Sequence, residues 1–192
     1  MLAPGLYYNL NKEQVINVTS SFEIYKVKNP KEKDRFINTY DDDNSIFSEK
    51  YYLNLSSSYE LNKKMKGTLS SLKFKTTLGW NLNILHPELN YAYTNANLGV
   101  NVKLTDRLSF ASLFKGKAIF SDKYEFFQAA TTELRGFRDN RFIGKYSFYQ
   151  YSDIRLDMGR LENPLTPLNY GIFIGGDHGR VWYPQEYSKK WH

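Results

Sequence analysis

The chain consists largely of segments in which apolar and polar residues alternate with a period of two. Between residues 51 and 61 the odd positions are mostly apolar and the even positions mostly polar. Residues 72–82 and 92–104 repeat the alternation, with the apolar side chains at even positions. Because successive side chains of a β-strand point to opposite faces, this period predicts strands with one apolar and one polar face, and it argues against helices.

The alternation predicts about eight strands within one domain that covers residues 1–192. The predicted strands are residues 5–10, 14–27, 46–62, 67–84, 90–104, 107–120, 148–161 and 169–183. Most connections between them are short, whereas residues 28–45 and 121–147 form long loops. Short turns at one end and long loops at the other are typical of barrels of the bacterial outer membrane.

Strand length and aromatic content favour a membrane barrel. Strands in soluble proteins average roughly 5 or 6 residues, whereas a tilted membrane-spanning strand needs about 9 to 11, and most segments here reach that length. Aromatic residues make up 17% of the chain, and many lie near segment ends. We therefore expect an all-β fold, an antiparallel transmembrane β-barrel in contact with outer-membrane lipid. A soluble antiparallel sandwich or a lipocalin-like barrel is the alternative.

Composition excludes several other classes of protein. No run approaches the 18 or more apolar residues of a membrane-spanning helix. Cysteine is absent, which rules out disulfides and thiolate metal sites. The net charge of +6 is spread over turns and strands without a basic helix, so a nucleic-acid partner is not expected. No phosphate loop, zinc helix or other cofactor motif is present.

The long loop at 121–147 carries the most distinctive short motif, Arg135-Gly136-Phe137. Two acids, Asp153 and Asp177, follow it on the polar phase of the next predicted strands. A guanidinium is a rigid donor fork that fits carboxylates, and Gly136 permits a tight turn. We therefore expect the loop to fold inward and bring Arg135 onto these carboxylates. The alternative is that Arg135 is an exposed loop cation.

The segment Gly176-Asp177-His178-Gly179 is similar to a metallophosphoesterase motif, but an intervening residue is missing. The companion histidine motifs of those enzymes are also absent, and the chain has only three histidines. A dinuclear metal site cannot be assembled from them. The sequence therefore predicts no catalytic residues, no metal site and no enzymatic activity.

Taken in order, the motifs Arg135-Gly136-Phe137, Asp153 with Arg155, and Gly176-Asp177 with Gly179 resemble the bacterial surface antigen superfamily of outer-membrane barrels. This superfamily includes BamA, TamA and the two-partner-secretion transporters. Residues 134–151 look most like the barrel attached to metallophosphatases in Bacteroidetes. The resemblance implies a sixteen-stranded barrel, of which this chain is a fragment supplying the sixth to thirteenth strands.

The resemblance also implies roles for individual residues. Arg135 corresponds to the family's lumen arginine, Asp177 to its partner, and Asp153 to a second carboxylate. The chain departs from the family at Gly175, where an aromatic residue is usual two positions before the strand aspartate. This departure puts the packing around the loop tip in question.

Three functions are compatible with these features. The first is a non-enzymatic surface-antigen barrel that inserts, translocates or anchors other polypeptides, with a client polypeptide or a fused periplasmic domain as its partner. The second is a small pore or adhesin-like barrel that closes with these eight strands. The third is a soluble ligand-binding barrel, which would require the apolar faces to point inward.

Overall fold

A computed structural model describes residues 3–26, 49–123, 129–135, 142–162 and 166–182 of the 192-residue chain. Regular structure in these residues is almost entirely β, with a single 3₁₀ turn at Pro87–Leu89. The strands are β1 (Gly5–Asn9), β2 (Gln14–Tyr25), β3 (Lys50–Lys64), β4 (Leu69–Asn83), β5 (Tyr91–Lys103), β6 (Leu108–Ile119), β7 (Ala130–Thr131), β8 (Ile143–Gly144), β9 (Tyr146–Leu161) and β10 (Leu168–Trp182).

Eight of these strands form one antiparallel sheet in the order β1-β2-β3-β4-β5-β6-β9-β10. Each strand therefore pairs with its neighbours along the chain, except that β7 and β8 are skipped. The predicted all-β, antiparallel architecture of eight strands is confirmed. The sheet is not closed, because β1 and β10 lie at its two edges and do not pair with each other. Within the described ranges, no helix is both long and apolar enough to cross a membrane.

All eight predicted strands are present, with boundaries that differ by a few residues where both ends are described. For example, the strand expected at 148–161 begins at Tyr146. Residues 27, 46–48 and 183 of the predicted strands, and the whole predicted loop 28–45, lie outside the described residues. The loop expected at 121–147 differs more, because it contains β7 and β8, which pair as a separate two-stranded sheet. Two-residue strands have no alternation that a sequence pattern could detect.

The strand register separates two faces of the eight-stranded sheet. Leu55 lies opposite Trp80, and Trp80 lies opposite Ala92, so apolar residues line up across β3, β4 and β5. We call this side the apolar face; its members also include Val18, Leu78, Leu98, Phe114, Ile154, Ile172 and Ile174. The opposite side, the polar face, includes Asn54, Lys75, Asn81, Asn97, Lys115, Tyr149, Asp153 and Asp177.

A β-bulge interrupts the pairing of β9 with β10 near the end of the hairpin. Tyr170 lies opposite Gly159, whereas the next residue, Gly171, lies opposite Asp157, so Met158 is an extra residue in β9. Gly159 adopts a φ of 130°, which glycine tolerates best. Gly171 lies so close to the β9 backbone that an added Cβ would be 2.6 Å from the Leu156 carbonyl oxygen. Both glycines therefore allow the bulge to form.

Candidate functional site: an arginine clasp on the polar face

The segment Ala129–Arg135 lies against the polar face of the sheet instead of extending away from it. Four of its side chains are buried, those of Ala129, Ala130, Thr132 and Leu134. The Lys117 ammonium donates to the Ala129 carbonyl oxygen at 3.3 Å. The Tyr151 hydroxyl donates to the Glu133 carbonyl oxygen. These contacts place the end of the segment, Arg135, above β9 and β10.

Arg135 contacts both of the carboxylates that were predicted from the sequence as its partners, those of Asp153 and Asp177. Its Nη1 donates to Asp153 Oδ1 at 2.7 Å, and its Nε donates to Asp177 at 2.7 and 2.8 Å. Its backbone N–H also donates to Asp177 Oδ2 at 3.0 Å. The expected contact with both carboxylates is therefore present, although the Arg135 side chain is itself exposed.

The second arginine of the site is Arg155, whose Nη2 donates to Asp153 Oδ2 at 2.9 Å. Asp153 thus accepts from two guanidinium groups, while Asp177, among the residues that the structure describes, accepts from that of Arg135. We call the group of Arg135, Arg155, Asp153 and Asp177 the arginine clasp. Its two positive and two negative charges balance. The side chains of both acids are largely shielded, with 12% and 9% exposed, whereas that of Arg135 is 44% exposed.

Hydrogen bonds to Asp177, and secondarily to Asp153, raise the pKa of the Arg135 guanidinium above its ordinary value. The guanidinium therefore remains charged at every pH that proteins tolerate. It also lies over the Tyr151 ring, with Cζ 5.7 Å from the ring centroid. This distance falls within the range of cation–π attraction. The contacts of Arg135 are therefore electrostatic interactions that persist near neutral pH, because its guanidinium stays charged there.

Gly175 explains how the guanidinium fits between the two acids. It lies directly opposite Asp153 in the β9–β10 ladder. A Cβ built on Gly175 would be 2.2 Å from Asp153 Oδ1 and 2.9 Å from Arg135 Nη2. The space that a side chain would fill is therefore the space that the clasp uses. The departure from the family pattern does not disrupt the packing around Arg135, because the missing side chain makes room for it.

The two glycines of the predicted strand motif lie in different surroundings. A Cβ on Gly179 would be 2.7 Å from the Tyr149 Cβ, so this position is tightly packed against β9. Gly176 points to the other side, and an added Cβ would meet nothing within 4 Å. The remaining motif residues, Gly136 and Phe137, lie outside the described residues.

A second ion pair, which the sequence did not suggest, ties the segment to the sheet. The Lys115 ammonium lies 2.9 Å from Glu133 Oε2 and also approaches the Tyr149 and Tyr151 rings. Its hydrogen bond lowers the pKa of the Glu133 carboxyl. The alternation places Lys115 and both tyrosines on one face, but nothing in the sequence indicates that Glu133 lies above them.

The clasp can be tested by removing its members singly and together. Arg135→Ala and Asp177→Ala should each accelerate chymotrypsin cleavage after Phe137 or Phe142, because either change releases the segment. The double variant should be cleaved little faster than either single one, since one shared interaction can be lost only once. Cleavage rates followed by mass spectrometry would measure this coupling.

A matched control is Arg160→Ala, which removes an exposed arginine from the same sheet. It should leave the cleavage rate unchanged. Additive effects of the two clasp substitutions would mean that Arg135 and Asp177 act independently, contrary to the geometry described above.

Comparison with known proteins adds no assignment to this geometry. No model of a known protein family matches the chain, and no curated protein matches it.

Proposed function

We propose that the chain is part of an outer-membrane β-barrel of the surface-antigen type, which acts without catalysis in inserting, translocating or anchoring other polypeptides. Its surroundings would be outer-membrane lipid, and its partner a client polypeptide or a fused periplasmic domain. The observation that carries the proposal is the unequal exposure of the two faces of the sheet.

The apolar face is the exposed one. Leu78 is 64% exposed, Trp80 53% and Ile174 73%. On the polar face, by contrast, Tyr52 is completely buried and Asn81 is only 4% exposed. A soluble antiparallel sheet buries its apolar side, whereas a membrane barrel presents that side to lipid and crowds its polar side inward. The exposure pattern therefore supports a membrane barrel over a soluble ligand-binding barrel.

Several aromatic residues of the apolar face lie towards the two ends of the strands, although Phe114 lies in the middle of β6. Because neighbouring strands are antiparallel, β3 and β9 begin at the same end of the sheet at which β4 and β10 finish. Four aromatic residues lie towards that end: Tyr51, Trp80, Tyr146 and Trp182. Four others lie towards the opposite ends of the strands: Tyr59, Phe74, Phe110 and Tyr170. Two such bands are what the interfacial girdles of a membrane barrel require.

Three polar side chains on the apolar face, those of Ser112, Gln150 and Ser152, bond to one another. Ser112 Oγ lies 3.0 Å from Ser152 Oγ and donates to the Tyr151 carbonyl oxygen at 3.1 Å. Gln150 Nε2 donates to Ser152 Oγ at 2.7 Å. Since hydrocarbon offers no hydrogen-bond partners, polar groups facing lipid must be satisfied within the protein. This small network is compatible with lipid on that side.

The surface-antigen assignment rests on the arginine clasp. A loop segment that returns to the polar face and brings an arginine onto strand carboxylates is the arrangement that the resemblance implies. The open sheet argues against the alternative of a self-contained eight-stranded pore or adhesin-like barrel, because β1 and β10 would have to pair in such a barrel.

Quenching of Trp80 fluorescence tests the membrane assignment. In a Trp182→Phe, Trp191→Phe background Trp80 is the only tryptophan of the chain. After insertion into vesicles, lipids brominated along the acyl chain should quench its emission strongly, and aqueous iodide should quench it weakly. The chain should also show heat-modifiable mobility in gels.

A control variant places the tryptophan on the polar face, with Thr77→Trp and Trp80→Phe in the same background. Brominated lipids should quench this residue much less. Equal quenching at both positions, or stronger iodide quenching of Trp80, would contradict the proposal.

A further inference from the structure

A cavity with a volume of about 350 Å³ lies on the polar face of the sheet, beside the arginine clasp. Two small residues of neighbouring strands, Gly99 of β5 and Ala111 of β6, line its middle part. Longer cationic side chains line its flanks, with Lys73 on the β4 side and Arg135 and Arg155 on the β9 side. The cavity therefore exists because small residues separate the cations.

The strand register brings these cations to the same part of the polar face. Lys73 lies opposite Gly99, which has no side chain to separate the ammonium from the middle of the cavity. A Cβ built on Gly99 would be 3.7 Å from both Lys73 Cβ and Leu113 Cδ1, which is an ordinary contact distance. Arg155 follows Asp153 by two residues on β9, so both side chains lie on the polar face. A small ion in the cavity would therefore have cations on two sides.

Lys73 is the cation whose charge is not already used. Its side chain is exposed, and in the described part of the chain its ammonium makes neither a hydrogen bond nor an ion pair. The next lysine on the same face of β4, Lys75, is by contrast paired with Glu60. A single exposed lysine needs no partner, so Lys73 is informative because two guanidinium groups line the same cavity.

Arg155 contributes donors that are both oriented and accessible. Its Nη2 donates to Asp153 Oδ2 at 2.9 Å, which fixes the plane of the guanidinium. Its Nε and Nη1 groups have no acceptor among the residues that the structure describes. The side chain is 56% exposed, so a solute can reach these groups. A guanidinium with free N–H groups in a fixed plane matches the oxygens of a carboxylate or a phosphate.

The charges around the cavity do not cancel. Its described lining carries one carboxylate, that of Asp153, and three cations: Lys73, Arg135 and Arg155. Asp177, which binds Arg135 from outside the lining, brings the second carboxylate, so one positive charge remains. Asp157 lies farther along β9, where it accepts from the Gly159 N–H, and it does not line the cavity. The lining therefore favours an anion.

We propose that this cavity is a binding site for a small free oxyanion of the phosphate class. The Lys73 ammonium supplies the countercharge, and Nε and Nη1 of Arg155 donate hydrogen bonds to the oxyanion oxygens. Arg135 is engaged with both acids and adds to the positive potential. The site lies on the face opposite the apolar one, so it does not depend on the proposed membrane location.

The test is a calorimetric titration of the full chain with inorganic phosphate, in maltoside detergent and phosphate-free buffer of low ionic strength, where charges are little screened. Wild type should bind one phosphate saturably. Lys73→Met should weaken binding about tenfold, because it removes a charged hydrogen-bond donor. Gly99→Val should also weaken it about tenfold or more, since its side chain fills the cavity without changing any charge.

Lys75→Met is the matched control, because it removes a lysine from the same face of the same strand but outside the cavity lining. It should leave phosphate binding unchanged. Absence of saturable binding to wild type would overturn the proposal. An equal loss in Lys73→Met and Lys75→Met would overturn it as well, since it would show a dependence on net charge alone.

Lys73→Met also decides the matter if Gly99→Val fails to fold. Because the Lys73 side chain is exposed and makes no ion pair in the described part of the chain, this variant should unfold at the same denaturant concentration as wild type in phosphate-free buffer. Added phosphate should then stabilise wild type more than Lys73→Met. Equal stabilisation of the two would refute the site.

Discussion

Leu78→Arg is expected to destabilise the chain in lipid vesicles by about 2–4 kcal/mol, the cost of an arginine at the middle of a bilayer. Leu78 lies near the middle of β4 on the apolar face and is 64% exposed. If that face meets hydrocarbon, the guanidinium has to enter it or distort the bilayer. A denaturant titration of folding in vesicles measures the loss, with stability read from the midpoint and slope of the transition.

Thr77→Arg is the matched control, because it places the same side chain one residue earlier and hence on the opposite face. Thr77 lies between Ser58 and Asn95 on the polar face, where a charge can be hydrated. It should therefore cost far less than Leu78→Arg. Equal penalties, or a larger one at Thr77, would reject both the assignment of the faces and the proposed membrane location.

Gly175→Ala is expected to cost about 1–3 kcal/mol, the usual range for forcing extra atoms into a packed site. Besides meeting Asp153 and Arg135, the new methyl group would lie 2.7 Å from the Ser152 carbonyl oxygen. That oxygen belongs to the β9 backbone, so it cannot swing aside as a side-chain end can. We expect the substitution to push the Arg135 guanidinium out of the clasp, and both a denaturant titration and the chymotrypsin assay would detect it.

The neighbouring residue offers a stringent control. Gly176→Ala adds the same methyl group to the same strand, but in a position where nothing lies within 4 Å. It should change neither stability nor cleavage of the segment. Similar effects at both glycines would show that the loss comes from the flexibility of glycine and not from crowding of the clasp.

The strands could be predicted from the sequence because each has one face with an apolar character and one with a polar character. Such strands must alternate, and the alternation of β4 runs without interruption from Leu72 to Leu82. The antiparallel order also followed, since most connections are too short for anything but neighbouring antiparallel strands. The closure of the sheet could not be deduced, because an alternating strand looks the same at an edge and at the centre.

The site was predictable only in part. The contact of Arg135 with Asp153 and Asp177 could be predicted. The alternation places both acids on the polar face, and the resemblance implies that the arginine pairs with them. The contribution of Gly175 could not be foreseen, because it depends on a side chain that is absent and on a guanidinium that arrives from a distant loop. The pairing of Lys115 with Glu133 was also missed, because it depends on the path of the segment over β6 and β9, and no local pattern encodes that path.

The bulge in β9 has a consequence for the phase of the sequence pattern. Before the bulge in the chain, even-numbered residues of β9 lie on the apolar face; Leu156, for example, lies opposite Ile172. After the bulge, odd-numbered residues lie on that face, and Leu161 lies opposite Leu168. Met158, as the extra residue, inverts the parity of β9 and so keeps Leu161 on the apolar face. Without this inversion Arg160 would take that place. The extra residue shifts the two-residue alternation of β9 by one position. One continuous strand can therefore keep its apolar side chains on the same face, although they are even-numbered before the bulge and odd-numbered after it.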